Sequence, residues 1–240
     1  DFIHQQEKAY AVSFLLGRSS PSDDFETEVS LEAEPYRPSL QEVEESLQTQ
    51  RGTILQVPCS YSAKKIAGKR AYKLARLGKQ VVLQPKEIHI SQLEITAYKW
   101  PRLELSLVCS SGTFVRALGR DIARRVGTSA VMETLLRTAV GPYVLDEAIQ
   151  LSGITRDETG KRFIEAALHP PVSALPHLQT RTLSPTEIEH AARGGHLSGQ
   201  PGATHDMVAA IDENGALLGI LRVLNQGGWR LRPNFIDTSP

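Results

Sequence analysis

The sequence predicts an α+β fold, in which a mixed or antiparallel sheet is flanked by helices and followed by a small β-rich C-terminal module. Apolar and polar residues alternate through Lys8–Leu16 and again through residues 103–109, which is the period-two pattern of a half-buried strand. Another strand is predicted at residues 87–99, and a turn at Trp100-Pro101 would connect it to the strand at residues 103–109. Strands joined by so short a turn indicate antiparallel pairing.

Two helices are predicted beside this sheet. Ser39 followed by Glu42 forms a capping box, and the apolar spacing that follows it predicts a helix that ends before Gly52. A second helix is predicted after Gly112, because apolar residues there recur at helical spacing. One face of this second helix would carry three arginines at i, i+4 and i+8, namely Arg116, Arg120 and Arg124.

The segment that follows completes the first domain. Residues 131–137 are predicted as a short helix, residues 140–143 as a turn into a last strand, and residues 146–151 as the beginning of another helix. A proline-rich stretch then marks a domain edge. The sequence therefore divides into a domain of residues 1–172 and a C-terminal module of residues 177–240.

The C-terminal module is predicted to be rich in strands. A capping box at residues 184–187, with Pro185 at the first helical position, predicts one helix. Strands are predicted at Met207–Ile211 and Leu217–Val223 around a hairpin turn, with a further strand at residues 229–235.

The composition describes a soluble globular protein without a membrane span. Hydrophobic residues make up 40% of the 240 residues and charged residues 22%, and no apolar run reaches the roughly 20 residues that a membrane helix needs. Cys59 and Cys109 have neither metal-ligand spacing nor the pattern of a disulfide framework, which fits a reducing cytoplasm. We expect a cytoplasmic monomer that binds no metal.

The net charge of zero conceals a segregation of charge along the chain. Residues 7–45 contain ten Asp or Glu and three Lys or Arg, whereas residues 46–86 contain nine Lys or Arg and no acid. Within the second segment, cations interleaved with Tyr72 predict a short amphipathic helix after Gly68 and a grip on phosphates. A solvated surface helix is the alternative, because charge runs usually face water.

Residues 109–116 join a predicted strand to a predicted helix that begins near Arg116. This geometry would hold a guanidinium beside a cleft, where it could bind a carboxylate or a phosphate with two hydrogen bonds. An ordinary junction with a solvated basic face is the alternative that spacing alone leaves open.

Several collinear motifs resemble the bacterial tRNA pseudouridine synthase B (TruB) family. Glu7-Lys8-Ala9-Tyr10 with Leu16-Gly17 resembles the family's acid-Lys-x-Tyr strand and its Leu-Gly end, and residues 56–80 are similar to its RNA-gripping thumb. Residues 109–116, Cys-Ser-Ser-Gly-Thr-Phe-Val-Arg, resemble its Cys-Ser-x-Gly-Thr-Tyr-Ile-Arg motif, with Phe114 in place of Tyr. Residues 135–142 fit the region that follows, and the tail more loosely resembles the family's PUA-like RNA-binding module.

The resemblance implies a pseudouridine-synthase-type fold and an isomerisation that needs no cofactor. The substrate would be uridine 55 in the T-loop of tRNA, with the base flipped out of its stack into a pocket. A carboxylate would attack the uridine, the glycosidic bond would break, and the freed uracil would turn and rejoin through C5.

The resemblance also implies roles for particular residues. Arg116 would pair with the nucleophilic aspartate and keep it ionised, and Tyr10 would stack on the flipped base, a contact worth on the order of 1–3 kcal/mol. Phe114, Leu135 and Lys8 would line the substrate pocket. Contacts to tRNA would come from seven residues of the thumb and the strand region, namely Lys64, Lys65, Lys69, Arg70, Tyr72, Arg76 and Arg137.

One departure from the family pattern bears on activity. The family's nucleophile stands in a Gly-Thr-Leu-Asp-Pro motif upstream of the Tyr10 strand, and the 240 residues, which open at Asp1 rather than Met, do not contain it. We expect a missing N-terminal segment to supply it, and the chain by itself to be inactive. The alternative is a catalytically inactive tRNA-binding protein of the same fold; a purely structural protein would not account for so many agreeing motifs.

Overall fold

The chain folds into two compact units. A computed structural model describes residues 2–61, 83–199, 206–224 and 227–236, and of residues 65–66 and 69–70 it describes the backbone only. From Ile3 onward, contacts divide the chain into Ile3–Glu147 and Ala148–Pro240, a border that lies earlier than the predicted edge at residues 172–177. None of the helices in these described ranges is long and apolar enough to cross a membrane.

The first unit is built on a six-stranded antiparallel sheet. The strands described in this unit are β1 (Lys8–Leu16), β2 (Arg18–Ser19), β3 (Ser30–Leu31), β4 (Gly52–Gln56), β5 (Lys65–Ile66), β6 (Lys69–Arg70), β7 (Lys86–Lys99), β8 (Arg102–Cys109), β9 (Ala130–Val140) and β10 (Tyr143–Val144). The large sheet has the order β10-β9-β1-β8-β7-β4, and β2 with β3, and β5 with β6, form separate ribbons. The α+β class and the predicted strands of this sheet are confirmed.

Strand β1 lies in the middle of the sheet, between β8 and β9. Tyr10 is opposite Leu107 on β8 and Arg137 on β9. Strand β8 is half-buried, as its alternating sequence predicts. Leu103, Leu105 and Leu107 are buried, and the residues between them are only partly buried. The buried face packs on helices and forms the core of the unit.

Two helices cover this face. The α-helices within the described residues are α1 (Phe2–Gln5), α2 (Leu40–Gln48), α3 (Val115–Arg125), α4 (Glu158–Ala166) and α5 (Pro185–Ala192), and α2 and α3 are the two that pack on this face. The predicted capping box begins α2, because Ser39 accepts a hydrogen bond from the N–H of Glu42 while the Glu42 carboxylate accepts one from the N–H of Ser39. Helix α2 is tied to α3 by Ser46, whose hydroxyl donates to the Ile122 carbonyl at 3.2 Å.

Helix α3 lies unusually close to the sheet at Gly119. A methyl group at this position would stand 2.0 Å from the ring of Phe14, a buried residue of β1. Only glycine therefore lets the helix approach at this depth. The approach brings the first turn of α3, with Arg116, close to the face of the sheet that carries Tyr10.

Two predicted helices are wrong. Residues 131–137 lie in β9, where long-range pairing with β1 outweighs local helix preference, and bulges in that pairing break the period-two pattern that would have indicated a strand. Residues 146–151 contain only the end of a 3₁₀ turn, Leu145–Glu147, and the next helix begins at Glu158. Lys69–Arg70 is a strand, and the rest of the helix predicted after Gly68 lies outside the described residues.

The second unit holds a four-stranded sheet. Its strands, in spatial order, are β11 (Thr180–Thr182), β12 (Met207–Ile211), β13 (Leu217–Val223) and β14 (Trp229–Asn234), with β11 parallel to β12 and the others antiparallel. The predicted capping box begins α5, with Ser184 and Glu187 as its members. Leu183, Leu221 and Trp229 lie in the core beneath this sheet. The strands and the helix predicted for this module are confirmed.

Candidate active site

The site begins at the turn between β8 and α3. Gly112 has φ +87°, a left-handed conformation that glycine adopts without a steric penalty. The side chain of Phe114, the N-cap residue of α3, makes no capping hydrogen bond. The buried amide of Gln56 takes over this role: its Oε1 accepts from the Phe114 N–H at 2.8 Å and its Nε2 donates to the Phe114 carbonyl at 3.1 Å. The start of α3 is therefore fixed to the end of β4.

The guanidinium of Arg116 is held on three sides. Its Nη1 donates to the carboxylate of Asp24 at 2.9 Å and to the Ser22 carbonyl at 3.0 Å, and its Nη2 donates to the Tyr61 carbonyl at 2.9 Å. About one fifth of the side chain of each partner in the Arg116–Asp24 pair is exposed, 20% and 19% respectively. Arg116 thus binds a carboxylate from within the chain, whereas its pairing with the nucleophilic aspartate stays a prediction.

Asp24 was not predicted as a site residue. The loop between β2 and β3 fixes it: Ser20 and Ser22 donate to its carbonyl, and Oδ1 accepts from the N–H of Glu26 at 2.9 Å. The sequence signal was weak, because Asp24 is one of ten acidic residues in the segment 7–45. Only the fold brings this loop to α3, across 92 residues of chain.

Tyr10 and Arg137 meet on the same face of the sheet. The two residues are cross-strand neighbours, so their side chains lie on the same face of the sheet. Burial, together with the nearby thiol of Cys109, raises the pKa of Tyr10, although Arg137 opposes this shift. Tyr10 also packs on the core cluster that contains Val115 and other residues of α3. The fold therefore assembles predicted site residues that are far apart in sequence.

Leu135 lies on β9 opposite Val12 and remains 43% exposed. Strand residues two positions apart share a face, so Leu135 and Arg137 project on the same side as Tyr10. An exposed leucine on this side fits the predicted pocket wall, although it belongs to a strand and not to the predicted helix.

Lys8 is directed at main-chain carbonyl groups. Its ammonium group donates to the carbonyls of Gln6, at 2.6 Å, and of His4. Burial lowers the pKa of Lys8, while Cys109 acts in the opposite direction. These contacts tie the segment before β1 to the strand, so Lys8 has an anchoring role beside its predicted place in the pocket.

The predicted RNA grip is described only in part. Lys65, Lys69 and Arg70 belong to the β5-β6 ribbon, in which Lys65 pairs with Arg70. Lys64, Tyr72 and Arg76 lie outside the described residues. The contribution of these six residues to RNA binding stays a prediction.

Comparison with known sequences and structures identifies the family. A family model described as "TruB family pseudouridylate synthase (N terminal domain)" matches residues 1–115. Solved structures support the fold alone, because their sequence identity to this chain is low. The match to a chain in the crystal structure of a Cbf5-Nop10-Gar1 complex covers 98% of this chain and 68% of the matched chain. Its TM-score is 0.70 and the sequence identity is 16%. An H/ACA RNP bound to a substrate RNA containing 2'-deoxyuridine gives a TM-score of 0.66 at 14% identity.

Curated relatives are more similar in sequence. The tRNA pseudouridine synthase B of Stutzerimonas stutzeri is 33% identical over 94% of the chain and 74% of the relative. That of Rhodopirellula baltica is 32% identical over 84% of the chain, and that of Parabacteroides distasonis is 40% identical over 61%. The chain spans 59% and 62% of the length of these last two relatives. The family match and the similarity to the Stutzerimonas relative together show that the chain belongs to the TruB family of pseudouridine synthases.

Proposed function

We propose that the protein converts uridine 55 in the T-loop of tRNA to pseudouridine. The observation that carries this proposal is the arrangement at the first turn of α3, where Arg116 holds a carboxylate at the start of a helix that packs on the sheet face of Tyr10. The named activity of the relatives, tRNA pseudouridine synthase B, supports the same chemistry.

Arg116 has room for a second carboxylate. A guanidinium carries five N–H donors, and contacts within the described part of the chain use three of those of Arg116. The Nε–H and one Nη2–H remain, and two such donors match the geometry of a carboxylate. We propose that they bind the nucleophilic aspartate, which the 240 residues do not supply in a Gly-Thr-Leu-Asp-Pro motif. Asp24 then fixes the rotamer of Arg116 from the other side.

The proposed reaction breaks the bond between N1 and C1′ of the uridine and forms one between C5 and C1′. The C5 proton is released and N1 gains a proton, so that the isomerisation is balanced without a redox partner. A carboxylate beside Arg116 stays ionised and nucleophilic, because a neighbouring cation favours the charged form.

Tyr10 would contact the flipped base in this arrangement. Its ring packs against the buried core and lies beside the cross-strand neighbour Arg137. A ring supported in this way can stack on uracil with little further loss of entropy. Leu135 would close the opposite side and keep water from the glycosidic bond.

The second unit offers a surface for RNA phosphates. Arg222 of β13 lies directly opposite Arg230 of β14, and Arg232 lies two residues further along on the same face. Like charges opposite one another destabilise a strand pair, and a bound anion would relieve the repulsion. We propose that this face contacts the tRNA backbone, as the loose resemblance to a PUA-like module implies.

Release of tritium from tRNA labelled at C5 of uridine tests the proposed function. The complete polypeptide that the gene encodes should release the label from a tRNA with uridine at position 55 and not from one with cytidine there. The chain of residues 1–240 by itself should release none. Binding of tRNA without release by the complete polypeptide would favour the inactive binding protein, and release by residues 1–240 would show that another carboxylate, such as Asp24, is the nucleophile.

A further inference from the structure

Arg120 lies one helical turn after Arg116 and is as deeply placed. Its side chain is 15% exposed, and Nη1 donates to the carboxylate of Asp23 at 3.1 Å. Its Nη2 donates to the Val57 carbonyl at 2.8 Å, and its Nε donates to Asp121 at 3.0 Å. This is the contact pattern of a fixed side chain, in contrast to the solvated arginine expected on an exposed helix face.

The contacts of Arg120 repeat those of Arg116 one turn along the helix. Arg116 binds Asp24 and the Tyr61 carbonyl, whereas Arg120 binds Asp23 and the Val57 carbonyl. Two successive arginines of α3 therefore hold two successive acids of one loop. They also hold both ends of the segment 57–61, which leads into the basic stretch.

Asp23 is the turning point of the loop that carries Asp24. It has φ +60°, the left-handed region that residues other than glycine adopt at a cost of roughly 1–3 kcal/mol. Its carbonyl accepts from the N–H of Met132 on β9 at 2.9 Å. Since the backbone turn at Asp23 sets the direction in which Asp24 leaves it, the contacts of the Asp23 carboxylate control the aim of Asp24.

The presence of a charged Asp23 is not explained by any stabilisation of the fold. Burial raises the pKa of Asp23, and the nearby Cys59 thiol and Arg120 oppose this shift. A raised pKa means that the folded state binds a proton more readily than the unfolded state, so ionisation of Asp23 lowers stability as the pH rises past its unfolded value. Because burying this carboxylate lowers the stability of the fold, we expect Asp23 to serve a purpose other than stability.

We propose that Arg120, through Asp23 and the Val57 carbonyl, is a positioning residue that aims Asp24 at Arg116 and thereby orients the Arg116 guanidinium for the isomerisation. The inference rests on the proposed function and deepens it. Arg120 itself contacts neither substrate nor nucleophile.

Variants of the complete polypeptide test the proposal. Asp23→Asn keeps the shape and a residue type that tolerates the left-handed backbone, and Arg120→Met keeps the length of the side chain without its charge. Each should lower the single-turnover rate of pseudouridine formation by roughly tenfold to a hundredfold, because small displacements of a reacting group have effects of this size. The dissociation constant for tRNA should stay within about twofold, since neither residue is proposed to contact RNA. Arg120→Lys should recover part of the rate.

The double variant and a matched control separate positioning from general damage. If Arg120 and Asp23 act as one unit, the double variant should be no slower than the worse single variant. Arg125→Met, in the exposed last turn of the same helix, should keep the normal rate. If Arg120→Met fails to fold, Asp23→Asn alone decides the question.

The NMR signal of the Arg116 Nε–H gives a readout that is independent of activity. We expect a single sharp signal in the unaltered protein and in Arg125→Met, and a shifted or broadened one in Asp23→Asn. A normal rate and an unchanged Arg116 signal in folded Asp23→Asn would overturn the proposal, as would a loss that lies entirely in tRNA affinity. If the unaltered protein makes no pseudouridine, the proposed function fails, and the Arg116 signal still decides whether Asp23 orients it.

Discussion

The two cysteines show how individual residues of the site are shielded from solvent. Cys59 and Cys109 are both buried, at 0% and 1% exposure. Burial, and to a smaller extent the nearby carboxylate of Asp23, raises the pKa of Cys59 to about 12. Burial also raises the pKa of Cys109. Because the thiolate is the reactive form, these thiols should be inert at neutral pH.

Alkylation of these thiols gives a residue-scale prediction. At a pH of about 8, a thiolate-directed reagent should modify neither cysteine in the folded protein and both after unfolding in guanidinium chloride. Mass spectrometry of the modified peptides measures the outcome. Rapid modification of Cys59 alone would show that segment 57–61 opens, and would contradict the fixed contacts of Arg116 and Arg120.

At the scale of elements, the sequence predicted best what local rules determine. Capping boxes and hairpin turns gave correct helices and strands in both units, because these features depend on residues a few positions apart. Strand β9 was mistaken for a helix, since its pairing with β1 joins residues about 120 positions apart and contains bulges. For the same reason, Arg116 was identified from its own motif, whereas Asp24 became visible only when the fold placed its loop beside α3.

Gly119 provides an element-scale prediction about the close contact between α3 and the sheet. Alanine favours a helix over glycine by about 1 kcal/mol, but here its methyl group would overlap the ring of Phe14. Overpacking of this kind costs about 1–3 kcal/mol, so Gly119→Ala should lower the free energy of unfolding of the first unit. Urea unfolding monitored by circular dichroism would measure the change.

The same substitution in a Phe14→Leu background is the control for this contact. The smaller side chain makes space, so the additional cost of Gly119→Ala should become smaller there. An equal cost in both backgrounds would mean that the contact with Phe14 does not limit the approach of the helix.

At the scale of the whole molecule, the distribution of charge matters more than its total. The net charge is zero, yet residues 46–86 are free of acids and the second unit places three arginines on one sheet face. Such segregation can attract a polyanion to part of a neutral protein. The thumb and this arginine face are two candidate contacts for a single tRNA.

Salt dependence of tRNA binding gives the corresponding prediction. If about five phosphates are neutralised, affinity should fall by roughly 10²- to 10³-fold between about 50 mM and about 200 mM salt. Replacing Arg222 and Arg230 by Gln should reduce the slope of log affinity against log salt by about two. A flat salt dependence of the unaltered protein, measured by filter binding, would contradict the phosphate grip.

The orientation of Arg116 connects all three scales, because a residue, the close approach of a helix and a long-range loop contact together place its guanidinium. The most direct measurement is the single-turnover rate of pseudouridine formation by Arg116→Ala in the complete polypeptide, beside Arg125→Ala as the control. We predict that the rate falls on the order of 10³-fold in Arg116→Ala, as for other removed charge-stabilising groups, while tRNA affinity changes by less than about threefold. A folded Arg116→Ala protein with a near-normal rate would remove Arg116 from the active site.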